Sequence, residues 1–187
     1  LARMYDSIAT IDFFPGTAKE DVGTLLNETE NRVNSLLFPN EPSVAPRPRD
    51  RSAFLRKTWA TPHPMIPDRL ASAWLVRRFI DPEAKIRFLD TNETPPTSAV
   101  TFGFDGAQFT TSKEHLTYEE LVRFFRLSND VALGRIAHVV RAIEVGDRDA
   151  PEASSVEVML TGARNRAHDH QGLFGETEKL FDLLYDQ

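Results

Sequence analysis

The chain has 187 residues, 41% of them hydrophobic and 27% charged, with a net charge of −6 and no cysteine. That size suits one medium domain plus an appended N-terminal piece, with a core that needs no covalent staples, and the missing cysteines exclude disulfides, thiolate metal sites and thiol catalysis. The acidic balance argues against this chain alone gripping a phosphate backbone, and no apolar run approaches the roughly 18 residues of a membrane span.

The N-terminus lacks a basic-then-apolar signal pattern, and Leu1 in place of methionine reads as a trimmed chain or an absent upstream part. Residues 1–38 read as helical. Phe13-Phe14-Pro15-Gly16 breaks a first amphipathic stretch, and Val22, Leu25, Leu26, Val33, Leu36 and Leu37 then recur at helical spacing. Residues 39–53 form a Pro/Arg-rich linker, with four prolines and three arginines in its first thirteen positions. Such a segment is extended, and its arginines are read as a solvated tether rather than a nucleic-acid site. Residues 1–38 are then a helical arm or the tail of an upstream module, and residues 54–187 the main domain.

The main domain opens on a Pro-rich entry, Thr58 to Pro67, that runs into a helix. Asp68 stands at the expected N-cap, the helix reaches Ile80, and Asp81-Pro82 stops it. Leu70, Trp74, Arg77 and Arg78 share one face, while Leu75, Val76, Phe79 and Ile80 fill the rest of the circumference. A helix apolar all round is buried, and a buried guanidinium needs a carboxylate or a bound anion. Lys85 to Leu89 reads as a strand. Val100 to Phe104 and Gln108 to Thr111 read as two more, joined by an Asp105-Gly106 turn. Thr117-Tyr118-Glu119-Glu120 has the form of a capping box and opens a helix to Leu127. Further helices are expected from Asn129-Asp130 to Gly146, from Asp149-Ala150-Pro151 to Ala167, and from Leu173 to Tyr185. The fold class is α+β, predominantly helical with a small sheet of short strands.

The run Asp68-Arg69-Leu70-Ala71-Ser72-Ala73-Trp74-Leu75-Val76-Arg77-Arg78-Phe79-Ile80-Asp81-Pro82 resembles the signature of the ChrB chromate-resistance family, in its C-terminal domain. Phe104-Asp105-Gly106-Ala107-Gln108-Phe109-Thr110, Thr117-Tyr118-Glu119 and Leu180-Phe181-Asp182-Leu183-Leu184-Tyr185 follow in the family's order, and Ile11 to Gly16 resembles its linker region. The resemblance implies a cytoplasmic bacterial regulator that responds to chromate, with nucleic acid engaged only through an upstream module absent from this chain. Where the family tends to carry histidines, this chain has Thr111 and Arg141; its frequent signature cysteine is Ser72 here. No metal is therefore expected, and the cofactor is left unknown.

Arg69, Arg77 and Arg78 are the candidate oxyanion ligands, because guanidinium forks match the oxygens of a tetrahedral dianion. Trp74 is expected to wall that pocket, with Asp68, Glu119 and His63 around it. Glu119 points about 100° away from Glu120 on the helix. The bland counterpart is that the arginines pair with Asp81, Asp105, Glu119 or Asp147 as structural salt bridges. His168-Asp169-His170 has the look of a metal tract but no partner in sequence, and His138 reads as a partly buried structural residue. The leading reading is a sensing domain for chromate or a similar oxyanion. The alternative is a small-molecule or metal-assisted enzyme with a pocket around Asp68, Arg69, His63 and Glu119. Oligomerisation is compatible with either.

Overall fold

A three-stranded parallel sheet in the order β2-β1-β3 carries the domain. In the computed structural model, which describes residues 51–112, 114–146 and 150–187, the strands are β1 (Thr58–Pro62), β2 (Lys85–Leu89) and β3 (Val100–Thr101). Five α-helices accompany them among the described residues: α1 (Pro67–Leu75), α2 (Thr117–Phe124), α3 (Val131–Val145), α4 (Ala153–Arg166) and α5 (His170–Asp186). The fold class is α+β and predominantly helical. All described residues belong to one of two units into which the chain divides, Pro46–Gln187. The expectations for residues 1–38, for the linker up to residue 50, and for Asp147 and Asp149 fall outside the described residues.

The central strand is the segment expected to be a Pro-rich entry. Trp59, Ala60 and Thr61 are fully buried in β1, and Thr58 to Pro62 pairs in register with Lys85 to Leu89. Proline is tolerated at Pro62 because it ends the strand. The expected hairpin around Asp105-Gly106 is replaced by a different pairing. Val100 and Thr101 run parallel to Trp59 and Ala60, and Gln108 to Thr111 contributes only a parallel bridge between Phe102 and Phe109. A tight turn is still present, with the Ala107 amide donating to the Phe104 carbonyl at 3.0 Å, but it closes a loop rather than joining two antiparallel strands.

Parallel neighbours need a crossover, and α1 supplies it between β1 and β2. Leu70 to Leu75 are all buried, as a helix apolar on every side requires. α1 packs against α2, α3 and α5. The α-helical part stops at Leu75; Val76–Ile80 continues as a π-helical turn, closed by the Asp81 amide on the Val76 carbonyl at 2.8 Å. Asp68 is not the N-cap. Pro67 takes the first helical position after Ile66, which leaves Asp68 inside the first turn.

Six aromatic rings, Phe54, Trp59, Phe102, Phe109, Phe124 and Phe125, form one cluster on the sheet, in which Trp59 stacks on Phe109 at 5.9 Å. A second cluster of Trp74, Phe79, Phe181 and Tyr185 joins α1 and its π turn to α5. Asp130 caps α3 by accepting from the Ala132 and Leu133 amides, and Gly146 ends it in the left-handed region, both as the sequence indicates.

Candidate functional site

All three strands run out at one edge of the sheet. His63 follows β1, Asp90 follows β2, and Phe102 and Gly103 follow β3. In open parallel sheets this carboxyl edge is where ligands bind. Arg69, in the first turn of α1, reaches across it. Its Nε donates to the Gly103 carbonyl at 2.8 Å, and its Nη1 to the Pro64 carbonyl at 2.7 Å and the Pro62 carbonyl at 3.2 Å. Gly103 has φ of +78°, and a Cβ there would lie 2.9 Å from Arg69 Cγ and 3.1 Å from Thr61 Oγ1. Only glycine therefore both adopts this turn and admits the arginine. Among the described residues no carboxylate lies within ion-pair distance of Arg69, and Nη2 meets no protein acceptor. Burial pulls its pKa down, against the more distant Asp68 and Glu144. Arg69 is thus a half-buried cation whose hydrogen bonds, among the described residues, all go to backbone carbonyls.

Beside it stand two imidazoles. His170, the first residue of α5, lies with its ring centroid 3.5 Å from that of His63, the planes tilted by 40°. Both His63 nitrogens are buried without a hydrogen bond; the Asp90 carboxylate, at 3.8 Å from Nε2, is too far for one. Burial lowers the His63 pKa, helped by His170 and Arg69 and opposed by Asp90. The Thr61 hydroxyl is also buried and unpartnered. The loop after β1 is pinned from a second side by Arg164, whose Nη2 donates to the Met65 carbonyl at 2.9 Å.

Arg77, Arg78 and Trp74 lie away from this edge, against α5. Arg77 makes a two-pronged pair with Glu178, Nε to Oε1 at 2.9 Å and Nη2 to Oε2 at 3.0 Å. Arg78 reaches Asp182 and Asp186 and lies 4.4 Å over the Tyr185 ring. Trp74 Nε1 donates to Asp182 Oδ1 at 2.8 Å. Both guanidinium groups are half-buried. Their partners are none of the carboxylates expected from sequence, of which Asp81 and Glu119 are engaged elsewhere. Asp81, 1% exposed, accepts from the Arg56 and Lys57 amides at 2.8 and 2.9 Å and so fixes the entry to β1.

Asp68 and Glu119 converge on the start of α2. Asp68, 2% exposed, accepts from the Thr117 amide at 3.2 Å and the Tyr118 amide at 2.9 Å, so it caps a helix other than its own. Burial raises its pKa, and those amides oppose the rise. The helix start is shifted by one residue from expectation, and only the glutamate half of a capping box forms. Leu116 is the N-cap, and Glu119, not Glu120, returns to the Leu116 amide at 2.7 Å. Glu119 also pairs with Arg141, whose Nε donates to Oε1 at 2.8 Å, and this pairing holds the Arg141 pKa up. Thr111, at the other departure from the family pattern, shares a hydrogen bond with Thr117 at 3.1 Å. Of the seven candidate residues, the structure brings Arg69 and His63 together, Asp68 and Glu119 together at the start of α2, and Trp74, Arg77 and Arg78 together against α5. His170 and Gly103 are the additions at the sheet edge. Among the described residues no group of three or more His, Cys, Asp or Glu is placed to hold a metal ion, and His138 is exposed rather than partly buried.

This chain, with its crossover helix and small parallel sheet, belongs to the ChrB C-terminal domain family, whose model matches residues 59–187. The curated "Protein ChrB" of Cupriavidus metallidurans (strain CH34) is 36% identical over 187 residues, 98% of this chain; the chain spans 57% of that relative's length. No solved structure matches. Among the described residues no helix is long and apolar enough to cross a membrane.

Proposed function

We propose that this chain is the sensing part of a cytoplasmic chromate-resistance regulator and binds chromate or a related tetrahedral oxyanion at the carboxyl edge of the sheet. Arg69 is the principal ligand, His63 lies beside it, and the nucleic-acid-reading module belongs to sequence outside this chain. The observation that carries the reading is the state of Arg69: three carbonyl oxygens fix its orientation, no carboxylate among the described residues pairs with it, and Nη2 is left to donate. A partly desolvated guanidinium in that state gains from an anion in a way that a salt-bridged one does not. Arg77 and Arg78, already engaged by Glu178, Asp182 and Asp186, are assigned to holding α5 on α1. Asp68 and Glu119 are assigned to the start of α2.

The test is calorimetric titration and thermal shift with chromate, molybdate, sulfate and phosphate on the wild type, Arg69→Lys and Arg77→Ala. Chromate is expected to bind the wild type and Arg77→Ala alike, with at least a tenfold loss in Arg69→Lys, since lysine has no fork to replace the guanidinium. No anion binding to the folded wild type, or full binding by a folded Arg69→Lys, would overturn the reading.

A further inference from the structure

Resting on the oxyanion reading above, we infer that His170 is a second ligand-binding residue of the site, and that a dianion binds together with a proton taken up by the His63–His170 pair. A dianion at the sheet edge carries two charges, of which Arg69 meets one. The His63–His170 pair lies beside Arg69 and can supply a second positive charge. Its rings are 3.5 Å apart, and the His63 nitrogens have no hydrogen-bond partner to fix either tautomer. His170 reaches the edge from α5 with its backbone set by Asp169, which accepts from the Gly172 amide at 2.7 Å. Phe88 backs its ring at 6.2 Å.

The charged groups around the pair come from every neighbouring element. Arg69 on α1 and the second imidazole on α5 disfavour a proton on His63, Asp90 after β2 favours one, and Arg164 on α4 keeps its charge while donating to the Met65 carbonyl. In the absence of anion the first two, with burial, prevail. An anion placed between Arg69 and the rings reverses that balance, because an opposite charge within a few ångströms favours the protonated imidazole. A proton bound more tightly in the complex than in the free protein tightens anion binding as pH falls. The dependence approaches tenfold in affinity per pH unit when about one full proton is linked. The same linkage favours doubly charged oxyanions over singly charged ones.

The experiment is calorimetric titration of the wild type with chromate at a pH where the dianion dominates, in buffers of differing ionisation enthalpy. The slope of observed enthalpy against buffer enthalpy reads protons taken up per anion. A slope approaching one proton is expected for the wild type, with weaker binding and a slope near zero in His170→Gln or His63→Gln, each checked for folding by circular dichroism. His170 is exposed, so its variant keeps the test alive if His63→Gln fails to fold. Binding with no buffer dependence in the wild type, or undiminished proton uptake in folded His170→Gln, would sink this inference and leave the oxyanion reading standing. No chromate binding at all removes both.

Discussion

At its beginning α1 offers Arg69 to three carbonyl oxygens and, among the described residues, to no carboxylate; two turns later Arg77 and Arg78 meet Glu178, Asp182 and Asp186. The residue type is the same and the helix is continuous, yet the two ends have opposite electrostatic states. What separates them is the company the topology provides. The start of α1 faces strand ends, where backbone carbonyls are in supply, whereas its π-helical continuation faces a terminal helix with carboxylates spaced four residues apart. An arginine in a signature motif is therefore a ligand candidate only where its surroundings leave charge uncancelled.

Breaking the paired end hardest should be Trp74→Ala. It removes a fully buried ring and the donor to Asp182, and is expected to cost about 3–5 kcal/mol in chemical denaturation. The surviving folded fraction should still bind anion if the two ends are independent. Next comes Gly103→Val. The positive φ and the collision with Arg69 should cost about 2–3 kcal/mol and displace the guanidinium, so anion binding falls in parallel with stability. Arg78→Ala loses two ion pairs at a half-exposed site and its stacking on Tyr185. We expect about 1 kcal/mol, measured by urea unfolding, with anion affinity unchanged.

The smallest effect is on pH dependence at Asp68. Its folded pKa lies above the ordinary 3.8, so the native protein binds this proton more tightly than the unfolded chain does. The stability this group contributes is therefore lost as pH rises through the raised pKa. Asp68→Asn should flatten the fall of melting temperature as pH rises above the ordinary 3.8. An unchanged slope would show that another group dominates that window.

Much of this was legible in the residues. The alternation of Lys85 to Leu89, the Asp130 cap and the Gly146 stop correspond to β2 and α3 because each is a local signal. β1 was hidden by Pro62 and Pro64, which read as a loop, although the burial of Trp59, Ala60 and Thr61 comes from being the middle strand. The hairpin expectation failed for a related reason: an Asp-Gly turn fixes local geometry but does not choose which strand is the neighbour. At the sheet edge, Arg69 and His63 stood close in sequence. His170 lies more than a hundred positions away, and no local pattern links it to them. The partners of Arg77 and Arg78 did leave a trace. Glu178, Asp182 and Asp186 repeat at i, i+4 and i+8, an acidic stripe on one face of the last helix.

The helix starts have a consequence for how this domain can be divided. Glu144, near the end of α3, accepts from the Asp68 amide in the first turn of α1 at 3.0 Å, and Asp68 in turn serves the first amides of α2. The N-termini of α1 and α2 are thus completed by loans from other helices in a chain of dependence, α3 to α1 to α2. Cutting the sequence anywhere between Asp68 and Glu144 strands a set of buried amides. Fusions, truncations and split-protein designs should place their junctions outside that interval, where no helix is left without its lender.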